Sequence, residues 1–289
     1  MIARAALRLS ALLLLVAGAA GAQQTAAAGW DEALRLEAAG DLLPSAARFE
    51  AAAEAGRAEA WWRAARGYWR FAESLPLDEA ARRTGLFTHA DGCAARGLEA
   101  DPSCGECALW RYASLGRLTE HLGWLWGARH AREMRDLLDL GIALKPRHRD
   151  ANGNSELANL YYASAIFHRL VPEGIWLRLL VGVRGDTDRA LDDIHRALAI
   201  SAGRVDYHVE HGAVLLCQGR RRHDAARTRE GRDVLRHALS LAPSQPSDVV
   251  DQRYAAELLV APEKACGFSR RGFIDTEGEG RAVAIHAGR

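Results

Sequence analysis

Four segments of this 289-residue chain end in the same way. They are Ala95–Pro102 (Ala-Arg-Gly-Leu-Glu-Ala-Asp-Pro), Leu140–Pro146, Arg196–Ala202 and His237–Pro243. Each is an apolar helical pattern that runs into a stop, with a small residue five positions before it: Gly97, Gly141, Ala197 and Ala238. Self-similarity of this kind is the signature of a helical repeat, in which each unit buries its apolar face only against its neighbours. It constrains function as well as fold, because such repeats make surfaces that hold other molecules.

The helices that precede these ends carry a second pattern. A large residue is followed by small ones three and four positions later, then by a large one at the seventh. Trp61, Ala64, Ala65 and Tyr68 fit it, as do Leu160, Ala163, Ser164 and Phe167. Trp110, Ala113 and Ser114 fit with Arg117 in place of the aromatic, and His208, His211, Gly212 and Leu215 fit more loosely. This is the arrangement of the first helix, helix A, of a tetratricopeptide hairpin, where small residues let helix B approach closely. A shorter pair runs from Trp30 to Ala55 around a Gly40-Asp41 turn, and a final helix is expected over Asp248–Val260, capped by Ser247 or Asp248 after Pro246.

The helix ends are 44, 56 and 41 residues apart, longer than the 34-residue tetratricopeptide unit. The extra length falls between helices A and B: near Glu73–Gly85, over Thr119–Arg132, over Leu170–Asp186 and over Arg220–Arg229. Either the B helices are extended or the hairpin tips carry elaborated loops.

Composition is that of an ordinary folded chain, 49% hydrophobic and 26% charged, and the net charge of +1 gives no general attraction to nucleic acid or anionic lipid. Residues 1–22 read as a signal peptide: Arg4 and Arg8, an apolar Leu9–Ala19, then Ala20-Gly21-Ala22 as the cleavage site. The expected mature chain is an exported, periplasmic one, with no Cys near this site to carry a lipid anchor. Residues 23–260 form the expected repeat domain of about five hairpins, and 261–289 a glycine-rich flexible tail. Five cysteines follow the leader, so at least one thiol is left over from intrachain pairing.

Cys107–Arg117 followed by His121–Pro146, with its Gly-Ile-Ala-Leu-Lys-Pro end, resembles the central region of the regulator of microtubule dynamics family. The next block, with Tyr161, Tyr162, Trp176, Arg189-Ala190-Leu191 and His195–Leu198, has the same layout. The arrangement is similar to the exported TatT component associated with TRAP transporters. The resemblance spans about Glu59–Leu259 and rests on packing motifs. It implies protein interaction or, for the TatT-like branch, ligand handling beside a transporter.

Cys104-Gly105-Glu106-Cys107 is the most pointed local motif. A Cys-x-x-Cys at a helix start can be a redox pair, because the helix N-terminus lowers the first thiol's pKa. A zinc site would need two further ligands, for which Cys93 and a histidine are available. In an exported chain the motif reads first as a structural disulfide, either Cys104–Cys107 or one of them with Cys93. His208 and His211 are three apart, whereas a zinc helix needs four, so they read as core or surface histidines. Trp62 and Trp69 share a face of helix A that differs from the Trp61–Tyr68 packing face. They, with Trp124, Trp126 and Trp176, are the candidate anchors of a partner groove. The apolar insert Val171–Val183 reads as core packing, a pocket wall or an oligomer contact. Arg220–Arg222 with His223, Arg227 and Arg229 reads as a solvated basic loop.

No phosphate loop, nucleophile elbow or defensible carboxylate pair occurs, and no catalytic residue, metal or cofactor is assigned. The expectation is an all-α, tetratricopeptide-like solenoid of helical hairpins with long inserts. It is expected to act as a non-enzymatic exported scaffold that binds protein partners or a ligand through its helix A groove, with no nucleic acid partner and homo-oligomerisation open. The second reading is an accessory component of a TRAP-type solute transporter that holds a small apolar ligand.

Overall fold

The computed structural model describes residues 29–150 and 153–270, except for the side chains of Trp176, Leu177 and Leu180. The expected signal peptide and residues 271–289 lie outside the described residues. The chain is all-α: α1 (29–39), α2 (Leu42–Glu54), α3 (Glu59–Glu73), α4 (Ala80–Ala100), α5 (Gly105–Leu122), α6 (Trp124–Leu144), α7 (Glu156–Leu170), α8 (Ile175–Val181), α9 (Thr187–Ile200), α10 (Val205–Arg222), α11 (Ala225–Ser240) and α12 (Pro246–Val260). A 3-10 segment, Pro262–Gly267, follows. No strand occurs among the described residues beyond an isolated bridge between Arg149 and Ser155.

The helices pair as antiparallel hairpins, α1/α2, α3/α4, α5/α6, α7/α9 and α10/α11, with α12 closing the end. The small residues at the repeated ends explain the stacking. A methyl group on Gly97 would lie 2.5 Å from Cys107 Sγ, and one on Gly141 would lie 2.6 Å from Leu160 Cδ2. Ala197 and Ala238 are fully buried. Each of the two glycines lets a B helix press against the A helix of the next hairpin. The stops that follow are local: Asp101 is extended before Pro102, and Lys145 takes the left-handed conformation (φ 51°) before Pro146. Helix starts are capped by side chains, with Ser155 accepting from Ala158 N, Asp186 from Asp188 N and Arg189 N, and Asp224 from Ala226 N and Arg227 N.

The extra length of the repeats is mostly helix. α4 and α6 have 21 residues each, and α5 and α10 have 18. The expected insert Thr119–Arg132 is two long helices meeting at Gly123, whose φ of +91° makes the turn. Arg220–Arg229 turns likewise at His223 and Asp224 alone. Only Leu170–Asp186 carries an added element, the short α8.

Two boundaries differ from the sequence expectation. α12 starts at Pro246, so Ser247 and Asp248 lie inside it. Gln245 is the cap, and Asp248 returns a bond to its backbone in a capping box. The flexible tail expected from residue 261 does not hold for 261–270. A Cys217–Cys266 disulfide ties the 3-10 segment to α10, and Ala265 is fully buried.

The core follows the repeat. One apolar cluster runs from Trp30 to Val183 through α1–α7, a second joins α7, α9 and α10, and a third joins α10–α12 to the 3-10 segment. Neighbour-to-neighbour burial of this kind is how a solenoid is held.

Candidate ligand groove

The A helices α3, α5, α7 and α10 line one side of the solenoid and, with Gly127, Ala131 and Met134 of α6, border a cavity of about 600 Å³. Its apolar wall is made of Trp69, Trp110, Ala113, Ile166 and Phe167. Val171, Pro172, Val181 and Val183 of the third insert close one side. Phe268, Ser269 and Arg270 form part of another wall, held there by the disulfide just upstream.

Buried arginine–carboxylate pairs bind the A helices to one another along this side. Arg66 of α3 pairs with Glu37 of α1 and, at 3.3 Å, with Glu156 of α7. Arg117 of α5 pairs with Glu73 of α3 at 2.7 Å and with Glu120 at 2.7 Å. Arg169 of α7 grips Glu210 of α10 through two nitrogens, at 2.6 and 2.8 Å, and donates to the Ala265 carbonyl. Arg270 reaches Asp251 of α12 at 3.1 Å and Asp206 of α10 at 3.9 Å, while Arg204 meets Asp206 at 2.6 Å. Burial alone would lower the pKa of the Arg117 guanidinium, but Glu120 and Glu73 outweigh it and raise the value, while burial pushes the Glu73 carboxyl up despite Arg117 and Arg83 beside it.

Arg70 is different. It lines the cavity half-buried and makes no ion pair among the described residues. Burial and the neighbouring Arg66 charge lower its pKa. The indole N–H of buried Trp110, also in the wall, meets no acceptor among the described residues. The carboxylates of Glu37, Asp150 and Glu156 act on Arg70 only through their charge, so the site offers an apolar aromatic body, a guanidinium without an ion pair and an indole N–H without an acceptor among the described residues. Such a surface suits a ligand with an apolar part and an anionic group.

The tryptophans singled out from the sequence separate. Trp69 lines the cavity and meets Trp110 edge-on at 5.5 Å. Trp62 is not available as an anchor: it is 3% exposed and covered by the His148 ring at 4.6 Å. The loop after α6 folds over that part of the α3 face. Trp124 sits at the rim, 75% exposed. Trp126 stacks on His130 at 4.1 Å, away from the cavity wall. Trp176 lies on α8, but its side chain is outside the described residues. Cys104 and Cys107 are bonded to each other, and Cys93 is a buried free thiol. His208 Nε2 donates to the Ala202 carbonyl at 2.8 Å, and His211 meets His195 at 3.0 Å.

Sequence reasoning gave Trp110 a packing position without its place in the cavity wall, and it missed Arg70 and the ion-pair ladder. One signal was present: Arg117 stands where the helix A pattern wants an aromatic, and a charge at a packing position demands a buried partner.

Burial also sets the acid response. His168 on α7 is 5% exposed, and burial, aided by the Arg189 charge, pushes its pKa down to about 4. An unfolded histidine titrates near 6.5. As the pH falls below that value the unfolded chain takes up a proton that the native chain refuses until about pH 4. The share of stability that depends on His168 is thus intact above pH 6.5 and lost as the pH falls toward 4, by about 2.5 kcal/mol at pH 4.5. Urea unfolding at pH 7 and pH 4.5 checks this; His168→Leu is expected to shrink the difference between the two by about that amount.

No protein-family model matches the chain, and neither does any curated protein. Among solved structures, TTC0263, described as a thermophilic TPR protein in Thermus thermophilus, superposes with a TM-score of 0.50 at 17% identity. The match covers 81% of this chain and 99% of that one. The likeness is one of fold, and it makes this chain a tetratricopeptide-like solenoid.

Proposed function

We propose that this chain is an exported, non-enzymatic binding scaffold whose helix A groove holds a ligand, or the end of a partner chain, with an apolar body and an anionic group. The observation that carries the reading is the cavity wall itself: Trp69 and Trp110 beside the Arg70 guanidinium, which makes no ion pair among the described residues. The other buried arginines named along the groove have carboxylate partners, whereas Arg70 makes no ion pair among the described residues and feels Glu37, Asp150 and Glu156 only through their charge, so it is the groove cation placed to meet an incoming anion.

The transporter-accessory reading has its own support. Val171, Pro172, Val181 and Val183, from the insert that most enlarges the repeat, line the same cavity. Residues far from the packing motifs thereby narrow an open groove into a pocket of small-molecule size. Both readings use the same wall.

The test uses 8-anilinonaphthalene-1-sulfonate, an aromatic body with a single anionic group. We expect saturable binding at one site, quenching of tryptophan emission, and about tenfold weaker binding in Arg70→Met, equivalent to about 1.4 kcal/mol. Ala113→Trp, which fills the cavity, is expected to abolish binding while the chain stays folded. Binding that is indifferent to both substitutions would end the groove reading.

A further inference from the structure

Away from the groove, between α2 and α4, three side chains of different chemistry converge. Glu50 projects from α2, and His89 and Cys93 from α4, and their ligand-capable atoms all lie within 4.8 Å of one another. His89 and Cys93 are four residues apart, which puts them on one helix face. His89 Nε2 lies 2.8 Å from Glu50 Oε2. Cys93 is the one free thiol among the described cysteines, the other four being paired in two disulfides. Its sulfur is buried and His89 is exposed, so the cluster is closed on the protein side and open on the solvent side.

We propose that Glu50, His89 and Cys93 form a binding site for a zinc-class divalent cation, with solvent in the fourth position. One thiolate, one imidazole and one carboxylate are the donors zinc takes, and three protein ligands with an open position make a tetrahedral site that is accessible from outside. The supporting shell is present. Tyr68 donates to Glu50 Oε2 at 2.7 Å and packs edge-on against the His89 ring at 4.5 Å, so it orients two ligands at once. Arg96 approaches Glu50 Oε1 at 3.8 Å and Glu54 at 3.7 Å, but it is more than half exposed and can swing away. Binding displaces the Cys93 proton: the sulfur–hydrogen bond breaks, the sulfur–metal bond forms, and one proton passes to solvent. The affinity is therefore expected to rise with pH.

The test is titration of the full oxidised chain, freed of metal with EDTA, with Co²⁺ and Zn²⁺. Expected are a sulfur-to-cobalt charge-transfer band, tetrahedral d–d bands, displacement of Co²⁺ by Zn²⁺, and release of one proton, read by calorimetry in buffers of different ionisation enthalpy. Cys93→Ser should remove the charge-transfer band. His89→Gln should weaken binding by more than the roughly 10–100-fold that loss of an outer-shell partner costs, and Tyr68→Phe should fall within that range. His211→Gln, at the separate His195–His211 contact, should leave it unchanged. Absence of the band in the parent chain, or its survival in Cys93→Ser, overturns the proposal. Melting curves in EDTA establish that each variant is folded.

Discussion

Glu73→Ala is expected to destabilise the protein by about 3–5 kcal/mol, the cost of opening a buried ion pair by removing one partner. Glu73 is completely buried in α3 and lies between Arg83 of α4, at 3.4 Å, and Arg117 of α5, at 2.7 Å. Arg83 is itself 1% exposed, so its charge cannot turn to water when the carboxylate goes. Glu73→Gln keeps the shape and loses the charge, and should cost nearly as much. A Glu73→Leu, Arg83→Met, Arg117→Met combination should recover much of the loss, because a packed apolar set replaces a buried charged one at little net cost. Guanidinium unfolding of the four proteins reads the series. A loss below about 1 kcal/mol in Glu73→Ala would show that these charges are solvated in solution. Arg117 also lines the groove and donates to the Arg270 carbonyl, so the same substitution should loosen the pocket wall formed by 268–270.

The second large effect is steric. Gly185→Ala is expected to cost at least about 3 kcal/mol, or to detach the segment 171–186 from the fold. A Cβ at Gly185 would stand 1.9 Å from the Val171 carbonyl oxygen and 2.8 Å from that of His168. Both obstacles are backbone, so no side-chain rotation relieves them. Gly185 N bonds to the Pro172 carbonyl at 3.0 Å and Asp186 N to the His168 carbonyl at 3.2 Å, which is how the insert is closed at its base. Hydrogen exchange across 171–186 distinguishes the outcomes: local detachment raises exchange there alone, and global destabilisation raises it throughout. Unchanged exchange and an unchanged melting point would mean that the base of the insert is looser than these bonds imply. Since Val171, Val181 and Val183 line the cavity, either expected result should weaken dye binding in the groove.

Much of the architecture is legible without coordinates because it is local. A helix stop at Pro102 or Pro146 is fixed by the proline and the residue before it. The small residues Gly97 and Gly141 announce a close approach before the partner is known, and Trp61, Ala64, Ala65 and Tyr68 give the packing face by period alone. The site is less legible because its parts are far apart in the chain. Arg66 and Glu156 are 90 residues apart, and Arg169 and the Ala265 carbonyl are 96 apart. No period connects them. Trp62 and Trp69 look equivalent seven residues apart on one helix, yet the loop carrying His148 covers one and leaves the other in the cavity. Cys93 sits within the zinc reading of the Cys104–Cys107 motif on the sequence. In the fold those two cysteines bond to each other, and Cys93 faces Glu50 and His89 instead.

The sequence by itself determined that this chain is a stack of helical hairpins and where most of the helices end, since period, small residues and stops act over a few residues of backbone. The tertiary structure decided which groove arginine makes no ion pair among the described residues, which tryptophan meets the cavity and which cysteine stays a thiol. Those outcomes depend on what lies opposite each side chain, and in a solenoid that is set by stacking between repeats.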